Sequence, residues 1–167
     1  VAVKLLRPLE RFSERTQKTI EARFTQEAEL IARLEHPGVV RLMDYGVAML
    51  PSGRQSPWMA LEWLDGLSLG KSLRQRAETR PYTRAETLAM LRPALQALSL
   101  AHAQNIAHRD VTPNNAVVAM TLFKTPRLST YDLGTATQVT AGRPDRFKQG
   151  WERDRPPGTA AYMSPEQ

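Results

Sequence analysis

The chain has 167 residues, of which 41% are hydrophobic, and a sequence of this length and composition can bury a core of ordinary domain size. It has no cysteine and only three histidines, which excludes disulfides and thiolate metal sites and argues against a zinc centre. The net charge of +6 comes from basic residues interspersed with acidic ones, without interleaved aromatic residues, so it does not favour a nucleic-acid surface.

Strands and one long helix are predicted for the first part of the chain. The apolar, β-branched run at 1–6 predicts a strand. The segment 12–34 predicts a helix, because apolar residues recur there at helical spacing. The residues of this predicted apolar face are Phe24, Ala28, Ile31 and Leu34. Two more strands are predicted at 39–45 and 58–61, separated by a loop at 46–57 that is rich in proline, glycine and serine.

Two helices are predicted in the middle of the chain. A short helix is expected at 68–76 and a longer one at 84–103. Thr83 and Glu86 have the spacing of a capping box, which marks the start of the longer helix. The predicted buried stripe of this helix consists of Leu88, Leu91, Leu95 and Leu98. Pro93 lies inside the helix, and a bend is expected there.

The last part of the chain changes character. Two short strands are predicted at 117–120 and 127–131, flanking a turn. The segment 135–157 has no periodicity and many glycine, proline and charged residues, so it is predicted to be a functional or disordered loop. Because strands come first and helices later, the sequence predicts an α+β fold, with a boundary between two parts near 62–66.

Four short motifs carry the chemistry of this sequence. They are V-A-V-K at 1–4, H-R-D-V-T-P-N-N at 108–115, D-L-G at 132–134 and G-T-A-A-Y-M-S-P-E at 158–166. Each is weak alone, since a lysine after V-A-V is usually a strand-edge residue and H-R-D is usually a polar turn. In this order and at these spacings, with D-L-G 22 residues after Asp110, the chain resembles the eukaryotic-type protein kinase family, and its serine/threonine branch in particular.

The resemblance implies a two-lobed protein-kinase fold that is truncated at both ends. Residues 1–64 would form a partial N-lobe and residues 65–167 a partial C-lobe. The glycine-rich loop would precede this sequence, and further C-lobe helices would follow it. The fragment alone is therefore expected to transfer phosphate weakly or not at all. Arginine greatly outnumbers lysine and alanine is abundant, which favours a bacterial member of the family.

The resemblance also implies an enzyme that transfers the γ-phosphoryl group of ATP to serine or threonine hydroxyls of proteins. Lys4 would hold the α- and β-phosphates of ATP and pair with Glu27 on the following helix. An unpaired carboxylate near the buried stripe of that helix would be costly, which favours the same pairing. Asp110 would accept the proton of the substrate hydroxyl, with Thr159 beside it.

The same resemblance implies sites for magnesium and for adenine. Asn115 and Asp132 would hold Mg²⁺, which prefers hard oxygen ligands and takes few from the protein. The residues implied to contact ATP around the adenine ring are Ala2, Leu61, Glu62, Leu64 and Val117. A regulatory stack of side chains would consist of Ile31, Leu42, Leu133 and His108. Each of these apolar residues could equally be ordinary core.

Two residues depart from the family pattern. Thr112 stands where serine/threonine kinases usually have a lysine that donates to the transferred phosphate, and Tyr131 is an unusual residue before Asp132. Loss of one such donor commonly lowers the rate by about 10²–10³-fold. The main alternative is therefore a pseudokinase that acts as a nucleotide-binding or regulatory module. A small-molecule kinase of related fold is disfavoured by the segment 158–166, which serves protein substrates in the family.

The expected partners are ATP and protein substrates, without nucleic acid. A nucleic-acid binder is the weakest alternative. No apolar run approaches the roughly 20 residues that a membrane-spanning helix needs. The kinase domain is expected in the cytoplasm, with membrane attachment only through parts of a parent protein outside this sequence.

Overall fold

Three antiparallel strands and one long helix form the first part of the chain. The computed structural model describes residues 1–7, 12–120, 126–130, 136–138 and 159–163. The elements of the first part are β1 (Ala2–Leu5), α1 (Glu14–Arg33), β2 (Leu42–Met49) and β3 (Gln55–Leu61). Strand β3 lies between β1 and β2, and both pairings are antiparallel. The three strands and the helix predicted for this part are confirmed.

The loop predicted at 46–57 is wrong in extent, because β2 and β3 both continue into it. Gln55 pairs with Met49, and Pro57 lies opposite Val47. Exposed and partly buried residues alternate along this half of β2, as expected for a sheet with one covered face. The sequence predicted a loop here because of the turn-forming residues between the strands and because Pro57 lies inside β3.

Helix α1 forms because a polar cap and an apolar face coincide in one segment. The side chain of Ser13 accepts a hydrogen bond from the backbone N–H of Thr16 at 3.3 Å, which caps the first turn. The predicted apolar face is confirmed, since all four of its residues are buried. This face packs into a core with residues from later in the chain, namely Val39, Met59, Ala97, Ala101 and Ile106.

The second part of the chain combines helices with short strands. Its elements are β4 (Gly66–Ser68), α2 (Leu69–Ala77), α3 (Arg84–Ala103), β5 (Ile106–Ala107), β6 (Ala116–Met120), β7 (Pro126–Thr130), β8 (Thr137–Gln138) and a 3₁₀ turn (Ala160–Tyr162). Strand β6 lies between β4 and β7, and β5 pairs with β8. The fold is thus α+β, as predicted. Among the described residues, no helix is both long and apolar enough to cross a membrane.

The predicted buried stripe of α3 is wrong at two of its four residues, since Leu91 and Leu98 are half-buried and Leu91 packs against the core around Met90. Leu88 is 57% exposed and Leu95 is 60% exposed. The residues that α3 buries are Met90, Ala94, Ala97 and Ala101. Both stripes have helical spacing, so periodicity alone could not choose between them. The small alanines face inward because neighbouring backbone approaches the helix closely: a Cβ on Gly38 would lie 2.2 Å from the carbonyl oxygen of Pro93.

The turn after α1 ties the two parts of the chain together. The backbone N–H of Thr130 donates to the carbonyl oxygen of Gly38 at 2.8 Å, and that of Val40 donates to Thr130 at 3.0 Å. The hydroxyl of Ser129, which is fully buried, donates to the carbonyl oxygen of Pro37 at 3.0 Å. The end of α1 is therefore fixed against β7, the strand that leads toward the D-L-G motif.

The start of α3 supports a test of stability against pH. Glu86 accepts a hydrogen bond from the backbone N–H of Thr83 at 2.9 Å, and Thr83 accepts one from the backbone N–H of Glu86. The hydrogen bond from Thr83 holds the pKa of Glu86 below its ordinary value. Because the folded pKa is lowered, the stabilisation is present above the unfolded pKa and is lost as pH falls through the folded pKa.

Glu86→Gln in the full-length protein should therefore lower the free energy of unfolding at neutral pH. The difference from the unchanged protein should shrink as the pH falls below the ordinary carboxyl pKa. Denaturant unfolding at several pH values measures it, with Glu29→Gln, an exposed change on α1, as control. Thr83→Ala should cost about 1 kcal/mol at neutral pH. A pH-independent effect of Glu86→Gln would contradict the assignment.

Candidate active site

Lys4 and Glu27 form an ion pair between β1 and α1. The Nζ atom of Lys4 lies 2.8 Å from both carboxylate oxygens of Glu27. Glu27 is 4% exposed, whereas 40% of the Lys4 side chain is exposed. Alternation along β1 turns Lys4 toward α1 and leaves Val3 and Leu5 on the opposite, exposed face. The buried carboxylate thus has a cation partner whose ammonium group remains partly accessible, which suits a group that must also meet an anionic ligand.

Asp110 receives hydrogen bonds from two other residues that the sequence had singled out. Its Oδ1 atom accepts from the backbone N–H of Thr159 at 2.8 Å and from the Thr159 hydroxyl at 2.7 Å. Its Oδ2 atom accepts from Nδ2 of Asn115 at 2.7 Å. The structure therefore brings Asp110, Asn115 and Thr159 together, although Thr159 is distant from the other two in sequence.

The backbone of the loop between β5 and β6 holds Asp110 in place. Arg109 has a positive φ of 65°, which turns the chain sharply just before Asp110. The buried ring of His108 accepts a hydrogen bond through Nδ1 from the backbone N–H of Asp110 at 3.3 Å. Nδ2 of Asn115 also donates to the carbonyl oxygen of Asp110 at 3.0 Å. The backbone of Asp110 is thus held at both its N–H and its carbonyl oxygen by side chains of its own loop.

The first turn of helix α2 also contacts this loop, at Pro113 and Asn114. The backbone N–H of Gly70 donates to the carbonyl oxygen of Pro113 at 2.9 Å. A Cβ on Gly70 would lie 2.5 Å from Oδ1 of Asn114, so the loop packs where a larger residue would clash. Sequence reasoning missed this support. The available signal was a lone glycine in a predicted helix, which often marks close packing.

The residues implied to hold adenine lie in strands β1, β3 and β6 and in the stretch between β3 and β4. Ala2 pairs with Leu61 in the first sheet. Glu62 follows directly, and both its backbone N–H and its carboxylate bond to the backbone of Arg41, at 2.9 and 3.0 Å. Leu64 lies in the irregular stretch before β4. Val117 lies in β6, opposite residues of β4 and β7.

The members of the implied regulatory stack are partly described. Ile31 is in the main core, and Leu42 packs against that core. His108 is 4% exposed, beneath the loop that carries Asp110. Leu133, the fourth member, lies outside the described residues.

Comparison with known proteins decides the family. The protein kinase domain family matches residues 1–167. The chain belongs to the protein kinase family. The kinase domain is 32% identical over 167 residues to serine/threonine-protein kinase PknB of Mycobacterium tuberculosis H37Rv. It is 33% identical over the same length to PknB of Mycolicibacterium smegmatis. These alignments cover 100% of this chain and 24% of either relative.

A second kind of relative is similar to most of the kinase domain. Serine/threonine-protein kinase PknA of Mycobacterium tuberculosis H37Ra is 32% identical over 145 residues, which are 87% of this chain and 31% of PknA. The chain therefore spans about a quarter of the PknB relatives and under a third of PknA.

The magnesium ligands implied by the family are described only in part. Asp132, with the rest of the D-L-G motif, lies outside the described residues, as do 164–166. Asn115 fits the role, because its Nδ2 atom is committed to Asp110 and its side-chain oxygen is the atom that a hard cation takes. In the described ranges, no three His, Cys, Asp or Glu residues cluster as a metal site.

Proposed function

We propose that the protein carrying this chain is a serine/threonine protein kinase that transfers the γ-phosphoryl group of ATP to protein hydroxyls. The observation that carries the proposal is the hydrogen-bonded set formed by Asp110, Asn115 and Thr159. Phosphoryl transfer requires few protein groups but requires that they be held in place before the reaction. The names of the relatives support the choice of serine and threonine as acceptors.

Each residue of the site has a proposed role. Asp110 accepts the proton of the substrate hydroxyl and directs its oxygen toward the γ-phosphorus, and Thr159 lies beside that hydroxyl. Lys4 binds the α- and β-phosphates, and Glu27 holds the ammonium group of Lys4 in position. Asn115 and Asp132 would hold Mg²⁺, which would neutralise phosphate charge. The oxygen of the acceptor thus forms a bond to phosphorus as the bond to ADP breaks.

The binding of adenine and the cellular setting are part of the same proposal. The adenine ring would lie among Ala2, Leu61, Glu62, Leu64 and Val117. The substrates would be proteins with accessible serine or threonine hydroxyls. We place the domain in the cytoplasm, where ATP and such proteins are available. Nucleic acid has no role in this proposal.

One observation favours a second candidate, a pseudokinase that binds nucleotide without transfer. Thr112 occupies the position of the usual phosphate-binding lysine, and it is 6% exposed. Its hydroxyl accepts a hydrogen bond from the backbone N–H of Asn115 at 3.3 Å. The side chain is thus turned into the loop, and it is too short to replace a lysine at the phosphate.

Phosphate transfer by the full-length protein separates the two candidates. The protein is incubated with Mg·ATP labelled at the γ-phosphorus and with a generic basic protein, with EDTA in a parallel sample. A kinase should produce phosphoserine or phosphothreonine, on itself or on the added protein, and only with magnesium. A rise in melting temperature with Mg·ATP but without any labelled protein would instead establish the pseudokinase. Label on tyrosine alone would contradict the proposed acceptor class.

A further inference from the structure

Thr112 makes a contact that the lysine of related kinases could not make. The backbone N–H of Asn115 donates both to the carbonyl oxygen of Thr112, at 3.1 Å, and to the Thr112 hydroxyl, at 3.3 Å. An ammonium group has three donors and no acceptor, so a lysine side chain cannot receive this hydrogen bond. A threonine that bonds to the backbone three residues later stabilises a tight turn.

The hydrogen bond at Thr112 affects Asn115, the implied magnesium ligand, and not the transferred phosphate. Asn115 is held at its side chain by Asp110, with Nδ2 at 3.0 Å from the carbonyl oxygen and 2.7 Å from Oδ2. It is held at its backbone by Thr112. These bonds leave the side-chain oxygen of Asn115 for a cation. A change at position 112 should therefore move the oxygen that binds magnesium.

The burial of Thr112 also indicates that its hydroxyl serves the loop. Thr112 is 6% exposed, whereas its neighbour Val111 is 50% exposed. Pro113 next to it is fixed by the hydrogen bond from Gly70. A hydroxyl in such a place needs a partner, and an unsatisfied buried hydroxyl would cost stability. The backbone N–H of Asn115 is the partner that the structure provides.

We propose that Thr112 is a positioning residue for magnesium, acting through the backbone of Asn115, and that it does not contact the transferred phosphate. The inference rests on the proposed function, because it assigns the support of the magnesium ligand in the same site. It predicts an enzyme whose activity depends on the Thr112 hydroxyl through the concentration of magnesium that it requires.

The test compares three substitutions in the full-length protein. Thr112→Val keeps the shape and removes the hydroxyl, Thr112→Ser keeps the hydroxyl, and Thr112→Lys introduces the residue usual in the family. Thr87→Val is the control, because it removes a threonine hydroxyl that donates to the carbonyl oxygen of Thr83 at the start of α3, at 2.9 Å. Transfer is measured over a range of Mg²⁺ concentrations at fixed ATP, and melting temperature is measured with ATP over the same range.

Thr112→Val should raise the half-saturating Mg²⁺ concentration about three- to tenfold, as expected for one neutral hydrogen bond. Thr112→Lys should raise it similarly, whereas Thr112→Ser and Thr87→Val should leave it nearly unchanged. The proposal is overturned if Thr112→Val lowers only the melting temperature or the rate, with the same magnesium requirement. It is also overturned if Thr112→Lys needs no more magnesium than the unchanged protein.

The melting measurement separates this inference from the proposed function. If the unchanged protein transfers no phosphate but is stabilised by ATP in a magnesium-dependent way, the kinase proposal fails. The inference then stands if Thr112→Val shifts that dependence to higher magnesium, and it falls if the dependence is unchanged. If the unchanged protein shows neither transfer nor magnesium-dependent stabilisation, both proposals fail together.

Discussion

Replacing Asp110 with asparagine is expected to lower phosphate transfer by about 10²–10⁴-fold, the usual contribution of a positioned general base. The carboxylate accepts hydrogen bonds from Thr159 and Asn115, and it has further acceptor capacity for a substrate hydroxyl. An amide of the same shape cannot take up the proton of that hydroxyl. It also presents an N–H₂ group to neighbours that already donate.

The loss should be one of rate and not of fold. Asp110→Asn should still show the rise in melting temperature with Mg·ATP, because Lys4 and Glu27 are unchanged. Asp44→Asn, an exposed change on β2, is the matched control and should transfer phosphate at the original rate. Rates are measured at saturating Mg·ATP with the full-length protein. Retention of more than a tenth of the activity by Asp110→Asn would contradict the role proposed for this carboxylate.

The parts of the fold that the sequence predicted well are those fixed by local interactions. The capping box at Thr83 and Glu86 is formed as predicted, and α3 begins at Arg84, directly after Thr83. The apolar face of α1 was predicted because three large apolar residues and one alanine recur there at helical spacing. Such features depend on residues three or four positions apart, which a single sequence displays directly.

The features that sequence reasoning missed depend on distant partners. The inward face of α3 carries alanines because the backbone at Gly38 approaches Pro93, and helical spacing cannot reveal that approach. The bonds from Ser129 and Thr130 to the turn after α1 join residues 92 positions apart. Close packing of backbone against backbone is decided by tertiary structure, and it overrode the greater hydrophobicity of the leucines.

The candidate site was predicted for a different reason. The pairing of Lys4 with Glu27 and the approach of Thr159 to Asp110 came from the resemblance to kinases, since these pairs are 23 and 49 residues apart. Composition and periodicity carry no such information. The support that Thr112 gives to Asn115 was not predicted, because the resemblance describes a lysine at that position.

The second large effect is expected at the ion pair of Lys4 and Glu27. Variants there should change the free energy of unfolding and the rate of transfer independently. Lys4→Met removes the cation beside Glu27, which is 4% exposed. Breaking a fully buried pair costs about 3–5 kcal/mol, but the Lys4 side chain is 40% exposed, so about 1–3 kcal/mol is expected here. Transfer should fall by at least about 10²-fold, because a phosphate-binding charge is lost.

A second substitution should restore the free energy of unfolding without restoring phosphate transfer. In the double variant Lys4→Met, Glu27→Leu the buried carboxylate is removed together with the lysine, so the free energy of unfolding should return to within about 1 kcal/mol of the original. Transfer should remain as low as in Lys4→Met. Lys18→Met, an exposed change on α1, should alter neither quantity. Denaturant unfolding and transfer assays on the full-length protein measure both.

Two other results would each contradict a different part of the role proposed for Lys4. If the double variant regained activity together with stability, Lys4 would serve the fold alone and the phosphates would be bound elsewhere. If Lys4→Met were as stable as the original protein, the carboxylate of Glu27 would have another way to be neutralised, and the ion pair would not hold α1 against the sheet. The expected combination, restored stability with lost transfer, is the result that follows if one lysine supports the buried carboxylate and also binds the nucleotide.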